Sequence, residues 1–170
     1  PTSAAEVLVT TVQIDTPEAM GQFGALLAAE LRAGDLVLLN GELGAGKTTL
    51  TRGIGEALGV RGAVTSPTFV LARTHPRDGA PLIHVDAYRL GSAMELDDLD
   101  IDFAGSIVVV EWGAGLTDGI TDDWLSIDIE RPHGGADLDF TRSAELVEPR
   151  ELTVTAHGER WKEWVDALGD

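Results

Sequence analysis

Gly41-Glu42-Leu43-Gly44-Ala45-Gly46-Lys47-Thr48 satisfies the spacing G-x-x-x-x-G-K-[ST] and follows the apolar run Leu36-Val37-Leu38-Leu39, which reads as a strand. Each residue type has a task in holding phosphate. Small glycines let backbone N–H groups converge on phosphate oxygens, the lysine reaches the β- and γ-phosphates, and the hydroxyl of Thr48 ligates Mg²⁺. The helix that begins here adds the positive end of its dipole. With an added catalytic group the chemistry is phosphoryl transfer, to water or to an acceptor.

Hydrolysis at such a loop needs a carboxylate for the Mg²⁺ shell and a group that orients the attacking water, both commonly at C-terminal strand ends. Asp86 follows Leu82-Ile83-His84-Val85, and Glu111 follows Ile107-Val108-Val109-Val110. An acid ending a buried strand emerges at the edge that carries the phosphate loop, so both can approach one metal, and spacing leaves their individual roles interchangeable. The plainer alternative is that each acid caps a following helix. Ser66 and Thr68, within Ser66-Pro67-Thr68-Phe69, fall where hydroxyls can sense a γ-phosphate as a switch, or they belong to an edge strand broken by Pro67. His75, His84, His133 and His157 show no metal-ligand spacing, and His84 between apolar neighbours reads as a strand residue rather than a catalyst. A guanine site would need an Asn/Thr-Lys-x-Asp segment late in the chain. No lysine lies between Lys47 and Lys162, so an adenine nucleotide is expected; Asp102-Phe103-Ala104-Gly105 resembles a GTPase switch but lacks its guanine partner.

The elements that must position these groups follow from periodicity and caps. A strand is expected around Glu6–Ile14. Asp15-Thr16-Pro17-Glu18 then supplies a cap, a first-turn proline and a first-turn acid for a helix with Met20, Phe23, Leu27 and Leu31 on its apolar side, closed by Gly34. Thr48–Leu58 is the helix after the loop, with Gly59 as its left-handed cap. Ala63–Ala72 reads as extended, Arg73–Pro81 as a turn-rich loop, and Ala87–Leu99 as acidic and weakly helical. Runs at Trp124–Glu130, Leu138–Thr141 and Leu152–Ala156 suggest mostly antiparallel strands. Trp161, Trp164, Val165 and Leu168 then form a buried stripe on a last helix.

With 170 residues, 44% of them hydrophobic, the chain suits one domain, residues 1–170. No apolar stretch approaches the roughly 20 residues that span a bilayer, so a cytoplasmic location without membrane contact is expected. There is no cysteine for a disulfide or a thiolate metal site. Twenty-nine acidic against twelve basic residues give a formal charge of −17, which repels nucleic-acid backbones and disfavours direct binding of tRNA or DNA.

Gly41–Thr49, Ser66-Pro67-Thr68-Phe69, His84-Val85-Asp86-Ala87-Tyr88-Arg89-Leu90 and Val110-Glu111-Trp112 occur in an order and spacing that resembles the TsaE (YjeE) family, from about Thr16 to Ala156. That family consists of bacterial P-loop ATPases of tRNA N6-threonylcarbamoyladenosine (t6A) biosynthesis. The resemblance implies a Mg²⁺-dependent ATPase that works with TsaB and TsaD at adenosine 37 of ANN-decoding tRNAs and meets tRNA only through that complex. With the alternating apolar positions, it implies an α/β, P-loop NTPase-like three-layer fold: a mixed sheet with parallel core strands and antiparallel C-terminal strands. By residue, it implies Gly44, Ala45, Gly46, Lys47, Thr48 and Thr49 as the phosphate loop, Thr48 and Glu111 as metal ligands, and Asp86 as the water- or γ-phosphate-facing carboxylate. Ser66 and Thr68 become the switch, Trp112 a nucleotide or partner contact, Arg150 a basic group near the nucleotide, and Thr16 and Pro17 the adenine border. Gly113, Ala87 and Met20 depart from the family's usual residues without removing a phosphate or metal ligand.

Two other functions share the loop. A small-molecule kinase would use Arg73, Arg77 and Arg89 as a lid over an acceptor. A nucleotide-sensing module would use Ser66–Ala72 and the acidic Glu95–Asp102 segment as an ATP-dependent docking surface.

Overall fold

The computed structural model describes residues 7–41, 46–60, 72–87, 101–111, 121–130 and 149–169. Along them run β1 (Val7–Ile14), α1 (Pro17–Ala28), β2 (Leu36–Gly41), α2 (Lys47–Leu58), β3 (Ala72–His75) and β4 (Leu82–Asp86). β5 (Ile107–Glu111), β6 (Trp124–Glu130), β7 (Arg150–His157) and α3 (Lys162–Leu168) follow. The strands form one sheet in the order β1-β7-β6-β2-β5-β4-β3. Its centre, β6-β2-β5-β4, is parallel. Antiparallel β7 and β1 extend one side and antiparallel β3 the other.

The parallel core and mixed sheet match the expected α/β class. Strands in such a core are covered on both faces and lose polar alternation. β5, Ile107 to Glu111, is buried at every position. Alternate residues divide between two apolar clusters: Val37, Leu39, Ile107 and Val109 pack with α1, α2 and α3, and Leu36, Leu38, Val108 and Val110 pack on the other face. All three described helices lie on the first face. The expected helical segment 88–99 and strand 138–141 lie outside the described residues.

Three local expectations are corrected. Arg73–His75 is strand rather than loop, because β3 pairs antiparallel with β4 from Ala72↔Val85 to His75↔Leu82. Backbone pairing supplies what its polar residues do not advertise. α1 ends at Ala28 and tapers through Glu30 N→Leu27 O and Leu31 N→Ala28 O bonds, so Gly34 serves the turn into β2 and is not the helix cap. β6 is antiparallel to β7 but parallel to β2, which makes it part of the core.

α1 and α2 cross at backbone contact. A Cβ on Gly53 would stand 2.7 Å from Gly21 O, and one on Gly24 would stand 2.8 Å from Leu50 O. Backbone cannot rotate aside as a side chain can, so the helices would have to separate. Gly53→Ala gains about 1 kcal/mol of helix propensity, while overpacking a tight contact costs about 1–3 kcal/mol. Against rigid backbone at 2.7 Å the clash outweighs the propensity, and a net loss of up to about 2 kcal/mol is expected. At Gly21 a Cβ meets nothing within 4 Å among the described residues, so Gly21→Ala should stabilise by about 0.5–1 kcal/mol. Urea unfolding of the two variants checks the pair. Equal signs would contradict the crossing geometry.

The opposite edge of the sheet is pinned by Arg160. Its guanidinium bonds both oxygens of Asp35, at 2.8 and 3.1 Å, and the Glu30 carbonyl, while its centre lies 4.3 Å from the Trp161 ring centroid. α3 is thereby tied to the N-terminal end of β2, leaving the C-terminal edge to the loop.

Candidate functional site

α2 starts at Lys47 behind Gly46, whose φ of 120° is one that L side chains rarely adopt. A Cβ there would also approach Met20 Cε at 3.0 Å. The backbone therefore requires glycine, and Met20 brings the first turn of α1 against the loop. Gly46 makes no side-chain cap, and first-turn helix amides have no intrahelical partner, which leaves a positive helix end directed at the loop. Thr48 and Thr49 stand half-buried on that turn. Lys47 is 6% exposed, and its Nζ donates to Gly41 O at 2.5 Å, back across the loop.

The two acids meet at the same edge. Register pairs Asp86 with Glu111 and Glu111 with Leu39, two residues before Gly41, and Ala87 N donates to Glu111 O at 2.9 Å. Strand alternation puts Asp86 and Glu111 on the face that carries α2. Burial lowers the Lys47 ammonium from the ordinary lysine value, and the charges of Glu111 and then Asp86 oppose that shift. Lys47, Asp86 and Glu111 therefore form one electrostatic unit at the end of β2, β4 and β5.

Behind them lies a residue to which the sequence reading gave no role. His84 is fully buried on β4, and its Nε2 lies 2.5 Å from Glu111 Oε2. His75, on the neighbouring β3, is also buried; burial, then His84 and Arg73, lower its pKa, so it is neutral near pH 7. The signal was present in part: His84 is two residues before Asp86 and therefore shares its face. Recognising Glu111 as the partner needs the β4-β5 adjacency.

The periphery is set by topology. Ile14 pairs with Arg150 at the end where β6 finishes, so Arg150, Thr16 and Pro17 come to the phosphate-loop edge of the sheet. Thr16 is exposed, and its hydroxyl caps α1 by accepting from Ala19 N at 2.9 Å. Gly44, Ala45, Ser66, Thr68 and Trp112 lie outside the described residues. Asp102 lies before β5, at the edge opposite the phosphate loop, and accepts from Gly105 N. That position removes the GTPase-switch reading. Arg77 is tied to Leu58 O and Ala80 O at the far end of α2, where it cannot serve as a lid.

The family model described as "Threonylcarbamoyl adenosine biosynthesis protein TsaE" matches residues 14–138. Among curated proteins, the tRNA threonylcarbamoyladenosine biosynthesis protein TsaE of Streptomyces coelicolor is 57% identical over 147 residues, covering 84% of this chain and 93% of the relative. The Bacillus subtilis protein of the same name is 36% identical over 147 residues, covering 86% and 85%. Among solved structures, Bacillus subtilis YdiB is similar with a TM-score of 0.71 and 30% identity, over 96% of this chain and 95% of that one. With a family match across most of its length, and with the acids and lysine gathered at the edge of a parallel sheet, this chain belongs to the TsaE family of threonylcarbamoyl adenosine biosynthesis proteins.

Proposed function

We propose that this protein is a Mg²⁺-dependent ATPase whose hydrolysis supports turnover of the TsaB–TsaD machinery that forms t6A at position 37 of ANN-decoding tRNAs. The observation that carries the reading is the convergence of Lys47 with Glu111 and Asp86 at the start of α2. Thr48, Glu111 and Asp86 offer hard oxygen donors of the kind that suit Mg²⁺ completed by nucleotide phosphates and water. When bound, the cation would neutralise charge on the β- and γ-phosphates.

In this reading Thr48 and Glu111 hold the cation and Asp86 accepts a hydrogen bond from the attacking water. The Glu111 assignment is supported by its hydrogen bond to His84, since metal-ligating carboxylates are themselves held by outer partners. Lys47 swings from Gly41 O to the phosphates, which supply a stronger, charged acceptor. Gly41, Gly44, Ala45, Gly46 and Thr49 line the phosphates, Ser66 and Thr68 sense the γ-phosphate, and Trp112, Arg150, Thr16 and Pro17 border the nucleotide. The −17 charge suits a protein that leaves tRNA contact to its partners in the cytoplasm.

The test is ATP hydrolysis by the purified chain with Mg²⁺, alone and with TsaB and TsaD. The expected result is slow hydrolysis that rises on adding both partners and is lost in Lys47→Ala. No ATP binding, and no hydrolysis with the partner pair, would sink the proposal.

A further inference from the structure

His84 occupies the centre of β4 with no solvent exposure, 2.5 Å through Nε2 from a carboxylate that is itself 6% exposed. Its other nitrogen, Nδ1, is buried and has no hydrogen-bond partner among the described residues. We propose that His84 is a positioning residue for hydrolysis: it donates Nε2–H to Glu111 and holds that carboxylate in one orientation at the strand edge. The proposal rests on the ATPase reading above and deepens it.

An ionised carboxylate has only acceptors, so the proton in this bond belongs to Nε2. The groups that face His84 across the sheet are Glu111 from β5, and Arg73 and His75 from β3. Glu111 supplies the acceptor.

The mechanical case is one of lost freedom. A glutamate side chain has about 1.5–2 kcal/mol of rotamer entropy to lose. At a strand end beside a phosphate loop, that freedom would spread the carboxylate over several positions. His84, packed into the sheet's interior, restrains it before nucleotide arrives. Outer partners of this kind are worth about 10- to 100-fold in activity or metal affinity.

The experiment has two arms. In nucleotide-free protein, imidazole ¹⁵N NMR should find His84 protonated at Nε2, with a slowly exchanging Nε2 proton that is lost in Glu111→Ala. An Nε2 without a proton would overturn the proposal. In the second arm, with TsaB and TsaD present, His84→Phe removes the donor and His84→Gln restores one at similar reach. His84→Phe should lower kcat about 10- to 100-fold, with KM for ATP within about twofold of wild type, and His84→Gln should recover most of the loss. Unchanged kcat in folded His84→Phe, or the same loss in both variants, would overturn the positioning role. If wild-type protein hydrolyses nothing under any condition, the ATPase reading fails instead, and the NMR arm still decides the His84–Glu111 bond.

Discussion

Glu111→Gln is expected to retain MgATP binding while losing hydrolysis by about 10²- to 10³-fold. Glutamine keeps the shape of the side chain, and its carbonyl can still accept from His84 Nε2, so the interior of β4 and β5 has little reason to rearrange. What disappears is negative charge at the strand end. Glu111 is the larger of the two charges that raise the Lys47 pKa, with Asp86 next. Removing it weakens the hold on the cation and withdraws support from the Lys47 ammonium, whose charge bound phosphate would then sustain. Binding and catalysis should therefore separate. Calorimetric titration with MgATP and phosphate release with TsaB and TsaD read the two quantities. Wild-type hydrolysis in this variant would place Glu111 outside the reacting site. If binding and partner assembly persist but repeated tRNA modification stops, hydrolysis is essential. If modification persists, nucleotide acts as a sensed ligand and hydrolysis is incidental.

The groups of this candidate site stand out along the chain because they sit at fixed points of local pattern. A strand, a glycine-rich turn and a helix announce the phosphate loop, and an apolar run followed by an acid announces Asp86 and Glu111. Their meeting depends on strand order, which no local pattern encodes. β5 lies between β2 and β4, so Glu111 stands beside the loop strand and Asp86 one strand further out on the same side, and β6 joins the parallel core although it resembles a meander strand. His84 went unassigned for the same reason. Its hydrophobic neighbours and its place two residues before Asp86 mark a buried strand position, but its acceptor is twenty-seven residues away on another strand. Arg73, Thr74 and His75 lack the apolar alternation that marks a strand, and β3, at the sheet edge, is held by backbone bonds, for which side chains give little signal.

The largest loss of stability is expected from Trp161→Ala, about 3–5 kcal/mol, against a total that for domains of this kind is about 5–15 kcal/mol. Trp161 heads the fully buried side chains by volume and stands just before α3. It meets Trp164 edge-on with ring centroids 5.6 Å apart, and Trp164 in turn packs on Phe23 of α1 at 5.9 Å. α3 also accepts a bond from Thr10 of β1 at the Val165 carbonyl. Truncation therefore opens a cavity among α3, the antiparallel strands and α1. Its indole N–H has no partner among the described residues, so that group opposes folding and the stabilisation comes from packed area and ring contacts. Trp161→Phe discards the unpaired donor along with some volume. It should lose only about 1–2 kcal/mol, below the alanine effect. Urea unfolding should show a lower midpoint at unchanged slope for both variants, in that order. A phenylalanine variant as unstable as the alanine one would mean that the indole N–H is satisfied after all, and that Trp161 holds α3 through a polar contact rather than through volume.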